Sequence, residues 1–314
     1  MPRGLWVALV ATVAVACQEA PAPPGKPLVV ASFYPMYEFS RQVAGDRAEV
    51  VSLVPPGVEP HDWEPSPQKL VEVQNARLLV YNGAGFEPWV DKLLHDVTGK
   101  KIIVIETTRG LDLIPAAEAG AAAFPPKAAG RDAGQTQNGG GDPHVWLDPV
   151  LAQSQVEAIR AGLTQGDPAN KAAYDDRARA FRARLAALDT AFQAGLRDCE
   201  HRDIVVSHAA FAYLARRYRL TQVAVMGLAP ESEPSPAELA AIANLARRRK
   251  VTYIFFETLV SSRLAETLAR EIGAKTLVLN PIEGLTKEEA AAGKGYVDLM
   301  EANLQSLRTG LGCR

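Results

Sequence analysis

The strongest constraint on the fold is one pattern that occurs twice: short β-branched apolar runs separated by longer amphipathic stretches, on either side of a long helical segment. Residues 28–31, 50–54, 78–81 and 102–105 make the first set, and residues 204–206, 222–225, 253–256 and 276–279 the second. Apolar runs with little polar alternation read as strands covered on both faces, the mark of parallel sheets between helices. Two such sets predict an α/β fold of two similar lobes, each a mostly parallel four-stranded sheet flanked by helices.

Between the sets, residues 149–197 carry a helical pattern. Asp167-Pro168 marks a fresh helix start, and Tyr174, Phe181, Leu185, Leu188 and Phe192 recur mostly three or four residues apart. One long helix is expected to join the lobes, and because a helix resists bending, lobe movements are expected to be small. The predicted division is 27–148 for the N-terminal lobe, 149–198 for the linking helices and 199–314 for the C-terminal lobe; 314 residues suffice for two cores. Residues 115–141, rich in Ala, Gly, Pro and Gln, hold few large apolar side chains and are expected to form a mobile loop.

The N-terminus reads as an export signal. Met1-Pro2-Arg3 carries one positive charge, and the apolar run over residues 4–16 matches a signal-peptide core and is too short to span a membrane. Ala14-Val15-Ala16-Cys17 resembles the lipobox of bacterial lipoproteins, which implies cleavage before Cys17 and its acylation. Leucine is more usual where Ala14 stands, and the Ala-x-Ala pattern also admits an ordinary secreted protein cut after Ala16. Residues 1–17 are thus assigned to a signal peptide and 18–26 to a short stiff tether. Either way the chain is extracytoplasmic, anchored by lipid on Cys17 or free in the periplasm. In an oxidising compartment the remaining Cys199 and Cys313 are expected to pair as a disulfide. A formal net charge of -2 gives no basic surface for nucleic acid.

The chain has five histidines, and three flank turns or strand ends: Pro60-His61-Asp62, Asp142-Pro143-His144 and Val206-Ser207-His208. Ligands of open parallel sheets bind beyond the carboxyl ends of strands, so these positions can converge on one cleft. Glu283, after the strand at 276–279 and the turn Asn280-Pro281, stands in the same kind of place. Three imidazoles and one carboxylate suit four-coordinate zinc, whereas manganese sites draw on more oxygen. Spacing alone does not establish such a site, because the four are far apart and each histidine taken singly reads as an ordinary surface residue. Glu59 reads as a solvated loop carboxylate, and His95 and His201, in charged segments, as exposed. Glu231 and Glu233 are placed near the start of the following helix. Trp63 and Trp146 either shield the site from water or pack loops onto the lobes.

Several segments share one resemblance: Ala31-Ser32-Phe33-Tyr34-Pro35, Pro60-His61-Asp62-Trp63-Glu64-Pro65-Ser66-Pro67, Asp142-Pro143-His144-Val145-Trp146-Leu147-Asp148-Pro149, Ser207-His208-Ala209-Ala210-Phe211, Pro230-Glu231-Ser232-Glu233-Pro234-Ser235 and Leu279-Asn280-Pro281-Ile282-Glu283-Gly284-Leu285. In this order they resemble the zinc and manganese solute-binding proteins of ABC importers, over residues 27–314. The resemblance implies that His61, His144 and His208 bind metal and that the loop at 280–285 supplies the fourth ligand. It also implies a monomer that binds zinc tightly and hands it to an ABC permease and its ATPase, without catalysis.

Many relatives carry Asp where Asn280 stands. An amide oxygen is a poor zinc ligand beside an available carboxylate, so the role falls to Glu283. Manganese-binding relatives tend to carry Glu in place of His208, which again favours zinc. The 115–141 segment lacks the histidines it holds in many zinc-binding relatives, so a metal-collecting role has no support here. The rival readings are a manganese-binding homologue, a zinc-dependent hydrolase and an adhesin. A hydrolase needs an open coordination position and a general base, which a closed set of four ligands denies. An adhesin needs an exposed apolar patch, and none is evident in the sequence.

Overall fold

The computed structural model describes residues 25–97, 99–120, 141–230 and 234–314. Cys17, the expected signal peptide, all but the last two residues of the expected tether, Glu231, Glu233 and residues 121–140 lie outside the described residues.

The N-terminal lobe runs β1 (Leu28–Ala31), α1 (Tyr34–Ala44), β2 (Glu49–Ser52), α2 (Pro67–Gln74), β3 (Leu78–Tyr81), α3 (Val90–Asp96), β4 (Ile103–Glu106) and α4 (Ala116–Gly120). After a single 3-10 turn at Val145–Leu147 come α5 (Pro149–Gly166) and α6 (Lys171–Gly195). The C-terminal lobe runs β5 (Asp203–Val206), α7 (Ala212–Tyr218), β6 (Thr221–Ala224), α8 (Pro236–Arg248), β7 (Tyr253–Phe256), α9 (Arg263–Ile272), β8 (Lys275–Val278), α10 (Lys287–Ala291) and α11 (Tyr296–Leu311).

Both sheets are parallel throughout and share one strand order, β2-β1-β3-β4 in the first lobe and β6-β5-β7-β8 in the second. The chain therefore reverses direction across each sheet at one place, between β1 and β3 and between β5 and β7, and a crevice opens there at the carboxyl ends of the strands. Three strands, β1, β3 and β7, have the expected bounds, and the ends of the other five differ from the sequence expectation by at most two residues. The expectation that all strands are buried fails at the edges. β3 is buried along its length, whereas β2 and β4 are half-buried or exposed, since an edge strand has a neighbour on one side only.

Local signals place the helices as anticipated. Asp148 caps α5 through the Val150 amide with Pro149 at the first turn, and Ser235 caps α8 in a capping box with Glu238. α5 lies close on its sheet because Gly162 faces β4; a Cβ there would sit 2.5 Å from Ile105 Cδ1. Asp167-Pro168 does open a new helix: a 3-10 turn leads into α6, whose 25 residues span about 37 Å at 1.5 Å per residue. Tyr174, Ala178, Phe181, Leu185, Leu188 and Phe192 form its buried stripe. Phe181 packs on Phe39 of α1, and Phe192 stacks on Tyr218 of α7. One buried apolar cluster thus extends from β1 through α6 to α11 and ties the lobes together.

The loop expected at 115–141 begins differently from its sequence expectation. Residues 116–120 form α4, Ala119 is buried, and a bridge between Pro115 and Gly141 closes the base of the segment. Composition missed this because Ala119 is held by a tertiary bond, its carbonyl accepting from Gln222 Nε2 on β6.

Cys199 and Cys313 are joined as a disulfide. Beside it the tail pairs with the segment leading into β5, through His201 N to Leu311 O and Arg314 N to Asp198 O. The bond closes a loop of 114 residues, so a Cys199→Ser, Cys313→Ser variant is expected to lose about 3 to 5 kcal/mol of unfolding free energy without change of fold. Guanidinium unfolding of variant and parent, with circular dichroism of both, checks this; equal midpoints would contradict it.

Candidate metal centre

The three histidines singled out in the sequence and Glu283 meet in one place, where one donor atom from each lies within 4.8 Å of the others. Glu283 stands at the centre. Its Oε1 is 3.2 Å from Nε2 of His144, 3.2 Å from Nε2 of His208 and 3.4 Å from Nε2 of His61. Its side chain is 1% exposed, and Oε2 is buried without a hydrogen-bond partner among the described residues. A buried carboxylate surrounded by imidazole nitrogens is costly unless a cation completes it. The set thus fits a divalent metal ion with imidazole preference.

Each of the four donors is held by its own device. His144 sits just before the 3-10 turn, and Asp142 Oδ1 accepts from both its backbone N at 3.0 Å and its ring Nδ1 at 2.7 Å. Bonding at Nδ1 turns Nε2 toward the centre. Asp142 is braced from the other lobe, its carbonyl accepting from Tyr213 Oη at 2.8 Å. The neighbouring Pro143 carbonyl accepts from Asn82 Nδ2. Asn82 follows β3, at the crevice of the first sheet, and belongs to a buried network. Its backbone N, Gly83 N and Ser32 Oγ all donate to Glu87, and Gln155 Nε2 donates to its side-chain oxygen. Burial pushes the Glu87 carboxyl up to about 7, against the pull of these donors.

His208 follows β5 and Glu257 follows β7, so the two flank the crevice of the second sheet. His208 Nδ1 lies 2.6 Å from Glu257 Oε1, and its Nε2 again faces inward. Burial opposes charge on this ring, yet Glu257 and Glu283 beside it hold its affinity for a proton well above the usual histidine range. Burial likewise opposes the Glu283 carboxylate, but His61 and His208 keep it well below the usual carboxylate range. Three carboxylates, from Asp142, Glu257 and Glu283, thus lie against three imidazoles, and the site favours positive charge.

His61 is placed by packing. Its ring meets Phe86 edge-on at 4.6 Å, and its backbone N donates to Glu59 Oε1 at 3.1 Å. Glu59 departs from its sequence reading. It is half-buried, with Oε2 buried and without a hydrogen-bond partner among the described residues, and burial together with nearby Glu283 pushes its carboxyl up to about 8. Its neighbours from the other lobe, invisible in sequence, remove it from water. Asn280 turns its side chain into its own backbone, as its amide predicts for a non-ligand. Trp146 packs on Phe33, Phe86 and His144, so it walls the centre; Trp63 instead packs on Trp89. His95 is 90% exposed as expected, whereas His201 is half-buried where the C-terminal tail pairs over it.

Sequence reasoning gave no role to Asp142, Glu257, Asn82 or Tyr213. For Glu257 the signal was present, since it follows the strand at 253–256 directly and the carboxyl-end rule applies to it as it does to His208.

The pattern of the family described as "Zinc-uptake complex component A periplasmic" matches residues 29–310. The chain belongs to that family. It is 41% identical over 283 residues to the high-affinity zinc uptake system protein ZnuA of Bacillus subtilis, covering 90% of this chain and 87% of the relative. It is also 41% identical over 305 residues to the zinc-binding lipoprotein AdcA of Streptococcus pneumoniae, covering 97% of this chain but 60% of the relative. The crystal structure of the Zn(II)-bound ZnuA-like domain of that AdcA superposes with a TM-score of 0.77 at 41% identity, over 91% of this chain and 99% of the domain. Two four-stranded parallel sheets joined by a long helix are therefore the family's architecture as well as this chain's.

The network behind His144 has a pH signature. Folded, Glu87 keeps its proton up to about pH 7, whereas unfolded it releases it near about pH 4.3. In that window the folded chain holds a proton that the unfolded chain has lost, so this group makes stability fall as pH rises. Glu87→Gln cannot titrate, and its loss of stability between pH 5 and pH 7.5 is expected to be smaller than the parent's by about 2 kcal/mol. Urea unfolding at the two pH values measures the difference, and parallel profiles would contradict it.

Proposed function

We propose that this chain binds one Zn2+ through Nε2 of His61, His144 and His208 and a carboxylate oxygen of Glu283, and delivers it to an ABC permease driven by its ATPase. The observation that carries the reading is the convergence of these four donors within 4.8 Å, with two of the imidazoles already turned by carboxylates. Three nitrogens and one oxygen favour zinc over manganese. Four protein donors close a tetrahedral set and leave no position for an activated water, which supports transport over hydrolysis.

In this reading the N-terminal lobe, residues 27–148, brings His61 and His144, and the C-terminal lobe, residues 199–314, brings His208 and Glu283. Residues 149–198 link them. The protein acts as a monomer outside the cytoplasmic membrane, held by lipid on Cys17 or free in the periplasm. The family's periplasmic description and the lipoprotein name of AdcA support that placement. Zinc displaces protons from the imidazoles, and because the carboxylates beside His144 and His208 raise their proton affinity, zinc affinity begins to fall with decreasing pH above the free histidine value of about 6.5.

Titration calorimetry of the mature chain is expected to give one Zn2+ per chain and weaker binding of Mn2+. Glu257→Gln, which weakens the support of His208, is expected to cost about 10- to 100-fold in zinc affinity. His208→Ala and Glu283→Ala each remove a ligand and are expected to cost more. A stoichiometry other than one, no preference for zinc, or unchanged affinity in both ligand variants would overturn the assignment.

A further inference from the structure

Glu283 is reached through a backbone conformation that its own residue type does not favour. The preceding Ile282 has a φ of 59°, in the left-handed region, where a β-branched side chain is a steric outlier. Neighbouring groups must hold such a conformation in place.

The structure shows the restraint. Asn280 Oδ1 accepts from Ile282 N at 2.7 Å, a turn that bends the chain back two residues on. Asn280 is itself gripped from α11: its backbone N donates to Asn303 Oδ1 at 2.8 Å, and Asn303 Nδ2 donates to its carbonyl at 2.6 Å. Between them, the Pro281 carbonyl accepts from Trp146 Nε1 at 2.7 Å, across the cleft from the segment that carries His144. Asn280, Ile282, Asn303 and Trp146 are all buried. Polar backbone groups of the three successive residues before Glu283 are thereby committed to the side chains of Asn280, Asn303 and Trp146.

We infer that Asn280, held by Asn303, is a positioning residue of the metal centre: it stabilises the left-handed backbone at Ile282 that aims the Glu283 carboxylate at the three imidazoles. The inference rests on the reading of Glu283 as a zinc ligand. An amide suits this bracket better than a carboxylate, because its oxygen accepts from Ile282 N while its Nδ2 faces Glu289 Oε1 at 3.5 Å, where an acid would meet like charge.

The test is a double-mutant cycle in zinc affinity, measured by competition with a chromophoric chelator, on Asn280→Ala, Glu283→Gln and the double variant. If Asn280 acts through Glu283, Asn280→Ala weakens zinc binding about 10- to 100-fold alone and has no further effect in the Glu283→Gln background. A merely structural role gives additive losses, which would overturn the inference, as would unchanged affinity in Asn280→Ala. Asn303→Asp keeps the acceptor for Asn280 N and loses the donor to its carbonyl. It serves as a milder second probe should Asn280→Ala fail to fold, with the same non-additivity expected. Unchanged affinity in Glu283→Gln itself would overturn the ligand reading, whereas a weak Glu283→Gln beside additive losses would overturn the bracket alone.

Discussion

The rest of the structure is arranged around one buried carboxylate. Glu283 has left water almost completely, and three imidazole nitrogens surround its Oε1 while Oε2 has no hydrogen-bond partner among the described residues. An ion in that position costs several kcal/mol unless opposite charge meets it. Protonated imidazole can supply that charge, and a dication supplies more of it to a site that also holds Asp142 and Glu257. Because His61 and His144 come from one side of the cleft and His208 and Glu283 from the other, whatever cation satisfies Glu283 also joins the lobes.

Topology explains why the ligands can meet. The sheets have the same strand order, so each offers a crevice at the same point. The second lobe fills its crevice with metal chemistry, His208 after β5 and Glu257 after β7. The first lobe fills its own with support, Ser32 after β1 and Asn82 after β3 gathered on Glu87, and sends His61 and His144 in from its longer loops. Equivalent positions thus serve opposite purposes, and the buried acid differs accordingly. Glu257 orients a ring, whereas Glu87 ties down backbone amides and is held near neutrality by burial.

Much of this was legible before any coordinates. The eight strand runs and the stripe on α6 are periodicity signals, and they placed the sheets and the joining helix to within a residue or two. The rule about carboxyl ends of strands made His61, His144, His208 and Glu283 able to converge, and the resemblance to metal solute-binding proteins was needed to single them out as a set. What stayed hidden depends on contacts between distant segments. Glu59 is half-buried because of what faces it, α4 is ordered by a bond from Gln222, and the edge strands expose residues that look like core in a one-dimensional pattern. The left-handed backbone at Ile282 was the least readable feature, since nothing about isoleucine announces it.

The four donors differ in how firmly the fold holds them. His144 and His208 are locked through Nδ1 by buried carboxylates, and each of those carboxylates is anchored at a strand end or across the cleft. Glu283 is held through its backbone, where an unfavourable conformation costing roughly 1–3 kcal/mol persists only because Asn280, Asn303 and Trp146 over-determine it. His61 lies on the segment between β2 and α2, placed by ring packing on Phe86, and at 9% exposure its side chain is the ligand nearest to solvent. The fold thus braces three of the donors through hydrogen bonds to their rings or to the backbone that carries them, and places the fourth by ring packing and one backbone bond to Glu59.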